Sequence, residues 1–270
     1  MKDSHVHTTI SHDGISEMSA YIYAAREKGV DEITFTEHWD DYTGLKTDLR
    51  TLDISVYRAK YLACSNEEAM QTNFGIEIGL QPDIAEKIQA VTNQYSFDYI
   101  IGSSHIVCKK DMAMDSSFFE GVTRKEAYMR YFSEVLENIK LYRSEFDVYG
   151  HLDYVVRYGG YEEKKICYSE FADILDEILN LLIKNDKGLE VNTSGIRYGL
   201  GYPHPNVEIL KRYKELGGKI IVLGSDAHKT DDLARNFDIA LELLKQIGFR
   251  EVAVFHNRIP DFSDINNFDK

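Results

Sequence analysis

The stretch Ile33-Thr34-Phe35-Thr36-Glu37-His38 is a short β-branched and aromatic run that ends in two potential metal-binding residues. Runs of this composition form buried strands. The segment before it has a different period, because Met18, Ile22 and Ala25 fall at helical spacing and predict a helix with one apolar face. A helix that leads into such a strand is the unit from which parallel sheets are built.

The same alternation of strand and helix continues along the chain. Seven or eight such units favour closure into a barrel with right-handed crossovers over an open sheet. Only four prolines occur and no Gly/Ser-rich stretch divides the chain, so we expect residues 1–270 to form a single α/β domain, a TIM-like (β/α)7-8 barrel. The predicted strands are residues 2–7, 33–36, 74–80, 99–103, 147–150, 188–192, 219–224 and 251–255.

The charge balance limits the partners that the protein can have. Lys and Arg total 31 against 45 Asp and Glu, and the formal net charge of −14 disfavours binding to a nucleic-acid backbone. No run approaches the ~18 apolar residues of a membrane span, and the three cysteines lack the spacing of a paired motif. We therefore expect a soluble, cytoplasmic protein with reduced thiols that binds neither nucleic acid nor membranes; its oligomeric state stays open.

Nearly every predicted strand carries a metal-ligand side chain at its C-terminal end. In a barrel these ends converge on one mouth, so the pattern favours a shared cation site over scattered structural histidines. His5 and His7 point the same way because side chains alternate along a strand, and Asp226 and His228 repeat that spacing. The candidate ligands are His5, His7, His12, His38, Glu77, His105, His151, Asp226 and His228.

These residues and their neighbours resemble the polymerase and histidinol phosphatase (PHP) family of metal-dependent phosphoesterases. The family fold implies that the barrel is distorted and largely seven-stranded, with the last predicted strand packed differently. Residues 192–197, Asn-Thr-Ser-Gly-Ile-Arg, resemble the histidinol-phosphate phosphatase branch. The shared motifs are His5-Val6-His7-Thr8, Thr36-Glu37-His38, Gly75-Ile76-Glu77, Ser104-His105, Gly150-His151 and Gly224-Ser225-Asp226-Ala227-His228, with His12 in the first loop.

Carried over residue by residue, the resemblance implies three divalent metal ions, with Glu77 and Asp226 as bridging, catalytic carboxylates. A ligand set of nitrogen and oxygen suits Zn²⁺, Mn²⁺, Fe²⁺ or Co²⁺ and does not choose among them. His204 and His256 match no metal position of the family, and we expect both to be structural. The implied ligand sets are His5, His7, Glu77 and Asp226 for the first ion, Glu77, His105 and His151 for the second, and His12, His38, Asp226 and His228 for the third.

The resemblance also implies an activity, the hydrolysis of L-histidinol phosphate in histidine biosynthesis. A hydroxide that bridges two metal ions would attack the phosphorus. Arg197 would hold the phosphate oxygens, and Arg157 is a second, weaker candidate. Asp40, Asp115 and Asp153 lie in loops after predicted strands and are weaker candidates for binding the ammonium or the imidazole of histidinol.

Four alternatives belong to other functional classes. A PHP-type nucleotide phosphatase or nuclease shares every ligand, but the acidic balance and residues 192–197 disfavour it. An amidohydrolase also opens with His-x-His, but His12, His38 and the Asp226-x-His228 pair exceed the needs of its binuclear site. An HD-type phosphohydrolase places its ligands on helices. A metal-binding module without catalysis would be expected to have lost ligands.

Overall fold

A barrel of parallel strands with helices outside it forms the centre of the molecule. This computed structural model describes residues 1–65 and 70–268. The strands are β1 (Lys2–Val6), β2 (Glu32–Phe35), β3 (His38–Trp39), β4 (Gln71–Gly79), β5 (Tyr99–Ser103), β6 (Ile106–Val107), β7 (Lys110–Asp111), β8 (Val148–Tyr149), β9 (Gly188–Asn192), β10 (Ile221–Gly224), β11 (Glu251–His256) and β12 (Ile259–Asp264). The helices are α1 (Met18–Lys28), α2 (Ile54–Ser65), α3 (Ala85–Gln94), α4 (Arg124–Leu141), α5 (Ala172–Lys184), α6 (Ser194–Arg197), α7 (Val207–Glu215) and α8 (Phe237–Ile247).

Seven of these strands make a nearly closed, parallel barrel. Their order is β1-β2-β4-β5-β8-β9-β10, and β3 pairs with β4 beyond the end of β2. The first and last strands meet where Val6 pairs with Ala227, and the His7 amide donates to the Ala227 carbonyl at 2.9 Å. The expected TIM-like α/β barrel is thereby confirmed, with seven strands.

The helices cover the outside of this barrel, so its strands have two buried faces. All five residues of β5 and of β9 are buried, as is typical of parallel sheets. The long helix α4 begins at a capping box in which Thr123 accepts from the Glu126 amide and the Glu126 side chain accepts from the Thr123 amide. No helix within residues 1–65 and 70–268 is both long and apolar enough to cross a membrane.

Strands β11 and β12 form an antiparallel hairpin that covers the N-terminal end of the barrel. Residues 251–255 are thus a strand, as predicted, and they pack differently from a barrel strand, as the resemblance implied, because β1 and β10 already meet and leave no edge for an eighth strand. Two side-chain contacts hold the hairpin in place. His256 Nε2 lies 2.7 Å from Glu32 Oε1 at the start of β2, and Arg258 Nε donates to Asp147 before β8 at 2.9 Å.

Candidate metal centre

The C-terminal ends of the barrel strands bring distant parts of the sequence into one buried cluster. His5 on β1, Glu77 on β4 and Asp226 after β10 meet there. His5 Nε2 lies 3.3 Å from Glu77 Oε2 and 3.9 Å from Asp226 Oδ1. This contact between the beginning and the end of the chain follows from the closure of the barrel between β1 and β10.

The carboxylate of Glu77 stands at the centre of this cluster. It is fully buried, and Ser103 Oγ on the neighbouring strand donates to its Oε1 at 2.7 Å. Five imidazoles of the predicted ligand set surround it. Their nitrogens and distances to the nearest carboxylate oxygen are His151 Nε2 (2.8 Å), His38 Nδ1 (2.9 Å), His5 Nε2 (3.3 Å), His105 Nε2 (3.3 Å) and His7 Nε2 (3.5 Å).

Asp226 forms the second acidic point of the cluster. Its Oδ1 lies 3.7 Å from His7 Nε2 and 3.5 Å from His228 Nδ1, while its Oδ2 accepts from Arg157 at 3.2 Å. Asp226 has a φ of 54°, a left-handed backbone conformation that costs a non-glycine residue about 1–2 kcal/mol. Such strain persists where surrounding contacts hold it, and it is frequent at functional sites.

The rim of the cluster departs from the expected third ligand set. His38 Nδ1 faces Glu77, and the His7, His38 and His228 nitrogens form one possible ligand group. Asp13, which the sequence did not single out as a ligand, places its Oδ2 3.1 Å from His228 Nε2 and 3.6 Å from His38 Nε2. His12 lies further out, 3.8 Å from the same oxygen and partly exposed.

The carboxylates and imidazoles of the cluster shift one another's pKa values. Burial alone would raise the pKa of Glu77, but His5, His105 and His38 hold it well below its ordinary range. Burial alone would lower the pKa of His105, but Asp40 and Glu77 raise it to about 10. The carboxylates therefore attract either protons onto the imidazoles or a divalent cation between them. Burial lowers the pKa of His7 and of His151, which keeps both in the neutral form that metal ions bind.

Divalent metal ions fit this arrangement. Glu77 Oε2 and His38 Nδ1 are buried and 2.9 Å apart, yet neither has a hydrogen-bond partner among the described residues. Buried polar atoms of this kind are rare unless a partner such as an ion satisfies them. The converging atoms are nitrogens and carboxylate oxygens, and possible ligand groups are His5, His7 and Glu77; His38, Glu77 and His105; and His7, His38 and His228.

Two buried carboxylates contact the Nδ1 atoms of imidazoles whose Nε2 atoms face Glu77, and neither contact was predicted. Glu190 on β9 lies 2.5 Å from His5 Nδ1 and accepts from the His151 amide at 2.8 Å. Asp40 lies 3.0 Å from His105 Nδ1. Glycines on adjacent strands make room for both, because a Cβ on Gly224 would overlap Glu190 and a Cβ on Gly79 would overlap Asp40. A carboxylate on the far nitrogen of a ligating histidine fixes its orientation.

Glu37, in the Thr36-Glu37-His38 motif, anchors the first loop rather than the cluster itself. Its buried carboxylate accepts from the amides and hydroxyls of both Thr8 and Ser11, with the two hydroxyls at 2.6 and 2.5 Å. The Ser11 hydroxyl in turn accepts from the His38 amide at 3.0 Å. Glu37 thereby ties the loop after β1 to the residues between β2 and β3.

The two predicted arginines occupy different positions. Arg157 contacts the Asp226 side chain, as described above. Arg197 donates through Nη1 and Nη2 to the main-chain carbonyls of Ser225 and Asp226 at 3.1 and 2.8 Å. It thus supports the strained backbone of Asp226, and its contact with a phosphate stays a prediction.

The three acidic residues considered for substrate recognition contact other protein groups. Asp40 contacts His105. Asp153 is fully buried and 2.5 Å from His204 Nδ1. Asp115 accepts from the Ser117 amide at 2.9 Å, at the start of a short 3₁₀ turn. All three side chains therefore have protein partners.

Known proteins share this architecture. A family model described as the PHP domain matches residues 3–194. A histidinol-phosphatase of Lactococcus lactis is 30% identical over 264 residues, which cover 94% of this chain and 93% of the relative. A probable histidinol-phosphatase of Clostridium acetobutylicum is 29% identical over 97% of this chain and 99% of its own. The crystal structure of histidinol phosphate phosphatase from Lactococcus lactis, in complex with Zn, L-histidinol and phosphate, superposes with a TM-score of 0.85 at 29% identity and covers 96% of this chain and 98% of that one.

Proposed function

This chain belongs to the PHP domain family, and on that premise we propose that it hydrolyses L-histidinol phosphate to L-histidinol and inorganic phosphate. The observation that carries the proposal is the Glu77 carboxylate with five imidazole nitrogens within 3.5 Å at the mouth of the barrel. Similarity to histidinol-phosphatases over nearly the full chain supports the choice of substrate. The neighbour solved with L-histidinol and phosphate supports it further.

We propose that three divalent ions, of Zn, Mn, Fe or Co, bind at this mouth. Glu77 and Asp226 would bridge them, with the histidines divided as the family resemblance implies. Asp13 is an additional candidate at the outer position, because its Oδ2 lies 3.1 Å from His228 Nε2 and 3.6 Å from His38 Nε2. When bound, the ions supply positive charge that attracts the phosphate and lowers the pKa of water toward neutrality.

The protein's own residues bind and orient the phosphate in this proposal. Arg157 is the better placed of the two arginines, because its guanidinium contacts the side chain of Asp226. Arg197 reaches the same residue only through the main chain. We retain both as phosphate contacts, since guanidinium groups pair with phosphate oxygens through parallel hydrogen bonds.

We also propose that residues 1–270 act as one domain in the cytoplasm on a small phosphomonoester, without nucleic acid or membrane partners. The contacts of the terminal hairpin with β2 and with the start of β8 support the single domain. The net charge of −14 supports the absence of a nucleic-acid partner, since it repels polyphosphates away from the mouth.

A comparison of substrates tests this function. The protein is purified with Mn²⁺ or Zn²⁺, and phosphate release is measured from L-histidinol phosphate, nucleoside monophosphates and glycerol phosphate. We expect kcat/KM for L-histidinol phosphate to exceed the others by roughly 100-fold. The similarity to histidinol-phosphatases favours this substrate, and an enzyme that hydrogen-bonds polar groups of its substrate rejects analogues that lack those groups. Preference for nucleotides would instead support the nucleotide phosphatase alternative.

A further inference from the structure

Within the part of the chain that the structure describes, two histidine–carboxylate pairs lie outside the candidate ligand set, one at each end of the barrel. At the mouth, His204 Nδ1 lies 2.5 Å from Asp153 Oδ1, and both side chains are fully buried. At the opposite end, His256 pairs with Glu32 and holds the terminal hairpin to β2. The two pairs have the same chemistry, but the pair at the mouth continues into an arginine.

The hydrogen bonds of that arginine determine where the proton of His204 lies. Arg157 Nε donates to His204 Nε2 at 3.0 Å. A guanidinium group has donors only, so His204 Nε2 must accept and the imidazole proton must be on Nδ1. His204 therefore donates to Asp153. The hydrogen bonds form a chain in which Arg157 donates to His204 and His204 donates to Asp153.

Both ends of this chain of hydrogen bonds are fixed. The second oxygen of Asp153 accepts from the Asn206 amide at 2.9 Å. Arg157 Nη2 donates to Ser194 Oγ at 2.5 Å and to Asp226 Oδ2 at 3.2 Å. The guanidinium also lies against the ring of Tyr198, with its carbon 4.4 Å from the ring centroid. Arginine side chains have high rotamer entropy, so a guanidinium held in this way binds an anion with less ordering.

The same contacts determine which nitrogen of the Arg157 guanidinium is left for a ligand. Its side chain is only 7% exposed and borders the metal cluster through Asp226. Its guanidinium is protonated at neutral pH, as arginine side chains in proteins are. Among residues 1–65 and 70–268, no hydrogen bond occupies Nη1.

We infer that Asp153 and His204 are positioning residues that hold Arg157 at the mouth so that its guanidinium binds an oxygen of the substrate phosphate. This inference rests on the proposed function, because it takes the bound anion to be the phosphate of a phosphomonoester. It gives His204, expected from the sequence to be structural, a role in substrate binding through Arg157. His256 is the matched control, since it makes the same kind of pair at the far end of the barrel.

A double-mutant cycle tests this coupling. The variants are His204→Ala, Arg157→Ala, the double variant, His204→Gln and His256→Ala. The readouts are KM and kcat for L-histidinol phosphate, metal content, and the binding of inorganic phosphate by equilibrium dialysis. We expect His204→Ala to weaken phosphate binding and raise KM by about 10-fold, in the range of residues that orient a functional group. Metal content should stay unchanged.

The cycle separates coupling from a general structural role. In the Arg157→Ala background, His204→Ala should have little further effect, because its partner is already gone. His204→Gln should recover part of the loss, since its side-chain oxygen can accept from Arg157 Nε. His256→Ala should leave KM and phosphate binding unchanged. Independent, additive effects of the two single variants, or loss of metal in His204→Ala, would overturn the inference.

Failure of the proposed function gives a different result. If the wild-type protein releases no phosphate from any phosphomonoester, the function is wrong, while dialysis with inorganic phosphate still reads out the coupling of His204 and Arg157. If Arg157→Ala binds phosphate as tightly as the wild type, Arg157 is not a phosphate contact and the inference falls with it. Should His204→Ala fail to fold, Asp153→Asn preserves volume and must show the same direction of change.

Discussion

The two ends of the barrel differ in how their ionisable side chains are arranged. At the N-terminal end, the hairpin is held by separate pairs, His256 with Glu32 and Arg258 with Asp147, each at less than 3 Å. At the mouth, one carboxylate, Glu77, faces five imidazoles, and its Oε2 has no hydrogen-bond partner among the described residues. Side chains that pair one to one stabilise the closed end, whereas converging ligand atoms that lack such partners create a site for added cations.

Backbone conformation does not separate the two ends. His151 and Asp226 at the mouth have φ values of 22° and 54°, and Asn257 and Arg258 in the turn of the hairpin have φ values of 49° and 64°. On either side of that turn, β11 pairs with β12 in regular register from Glu251 with Asp264 to His256 with Ile259. The two ends therefore differ in how their ionisable side chains are arranged.

The largest effect that we predict separates two buried glutamates at opposite ends. Glu77→Gln should remove more than one metal ion per chain and reduce phosphate release by roughly 1000-fold or more, because a bridging carboxylate serves several ions at once. Glu32→Gln should retain both metal and activity. Elemental analysis and kinetics of the two variants measure this, and full metal content in Glu77→Gln would contradict the bridging role.

The second effect concerns Arg197. If it contacts the phosphate, Arg197→Ala should cost about 2–4 kcal/mol in kcat/KM, roughly 30- to 1000-fold, with metal content unchanged. Arg197→Lys should recover part of the lost kcat/KM, because lysine keeps the positive charge but not the paired N–H donors of the planar guanidinium. Steady-state kinetics with metal analysis check both. Loss of metal in both variants would show instead that Arg197 acts by supporting the Asp226 backbone.

A smaller effect should follow from Glu190, which lies behind the ligands. Glu190→Gln keeps the volume but weakens the contacts with His5 and with the His151 amide. We expect metal affinity to fall about 10- to 100-fold, as for other residues that orient a ligating histidine. Competition with a chelator of known affinity measures the change. Unaltered affinity would mean that His5 is held by the strand alone.

The smallest effect on activity, and a large one on stability, is expected at the closed end. Phe255 is 3% exposed and packs 5.3 Å from the ring of Tyr99. Phe255→Ala should lower the free energy of unfolding by about 3–5 kcal/mol. Metal content and kcat/KM below the melting temperature should match the wild type. Denaturant unfolding and kinetics at 25 °C test this. Loss of bound metal in Phe255→Ala would contradict the separation of stability at the closed end from metal binding at the mouth.

The sequence predicted the mouth better than the closed end. The histidines could be located because each follows a recognisable strand and all those strands are parallel. Strand β12 was missed because its residues are mostly exposed and include Pro260, so no apolar alternation marks it. Without β12, the composition of residues 251–255 is that of a barrel strand, and only the family resemblance indicated that they pack differently.

The supporting residues of the site were also missed, although one signal was present. Glu190 lies inside Gly188-Leu189-Glu190-Val191-Asn192, a strand in which every residue is buried. An acidic residue in such a strand requires a buried partner, so its position alone indicates a polar contact inside the barrel. Which histidine it contacts depends on the closure of the barrel and could not be obtained from the strand itself. The same holds for Asp153 and His204, which are far apart in sequence.

The most direct test of the metal-dependent mouth is a metal titration of the stripped protein. Chelator-treated protein is titrated with Zn²⁺ or Mn²⁺, and bound metal and phosphate release from L-histidinol phosphate are measured at each step. We expect almost no activity without metal and a rise that saturates at about three bound ions per chain, the number of sites that the resemblance to the PHP family implies. Full activity in the stripped protein, with bound metal adding nothing, would contradict it.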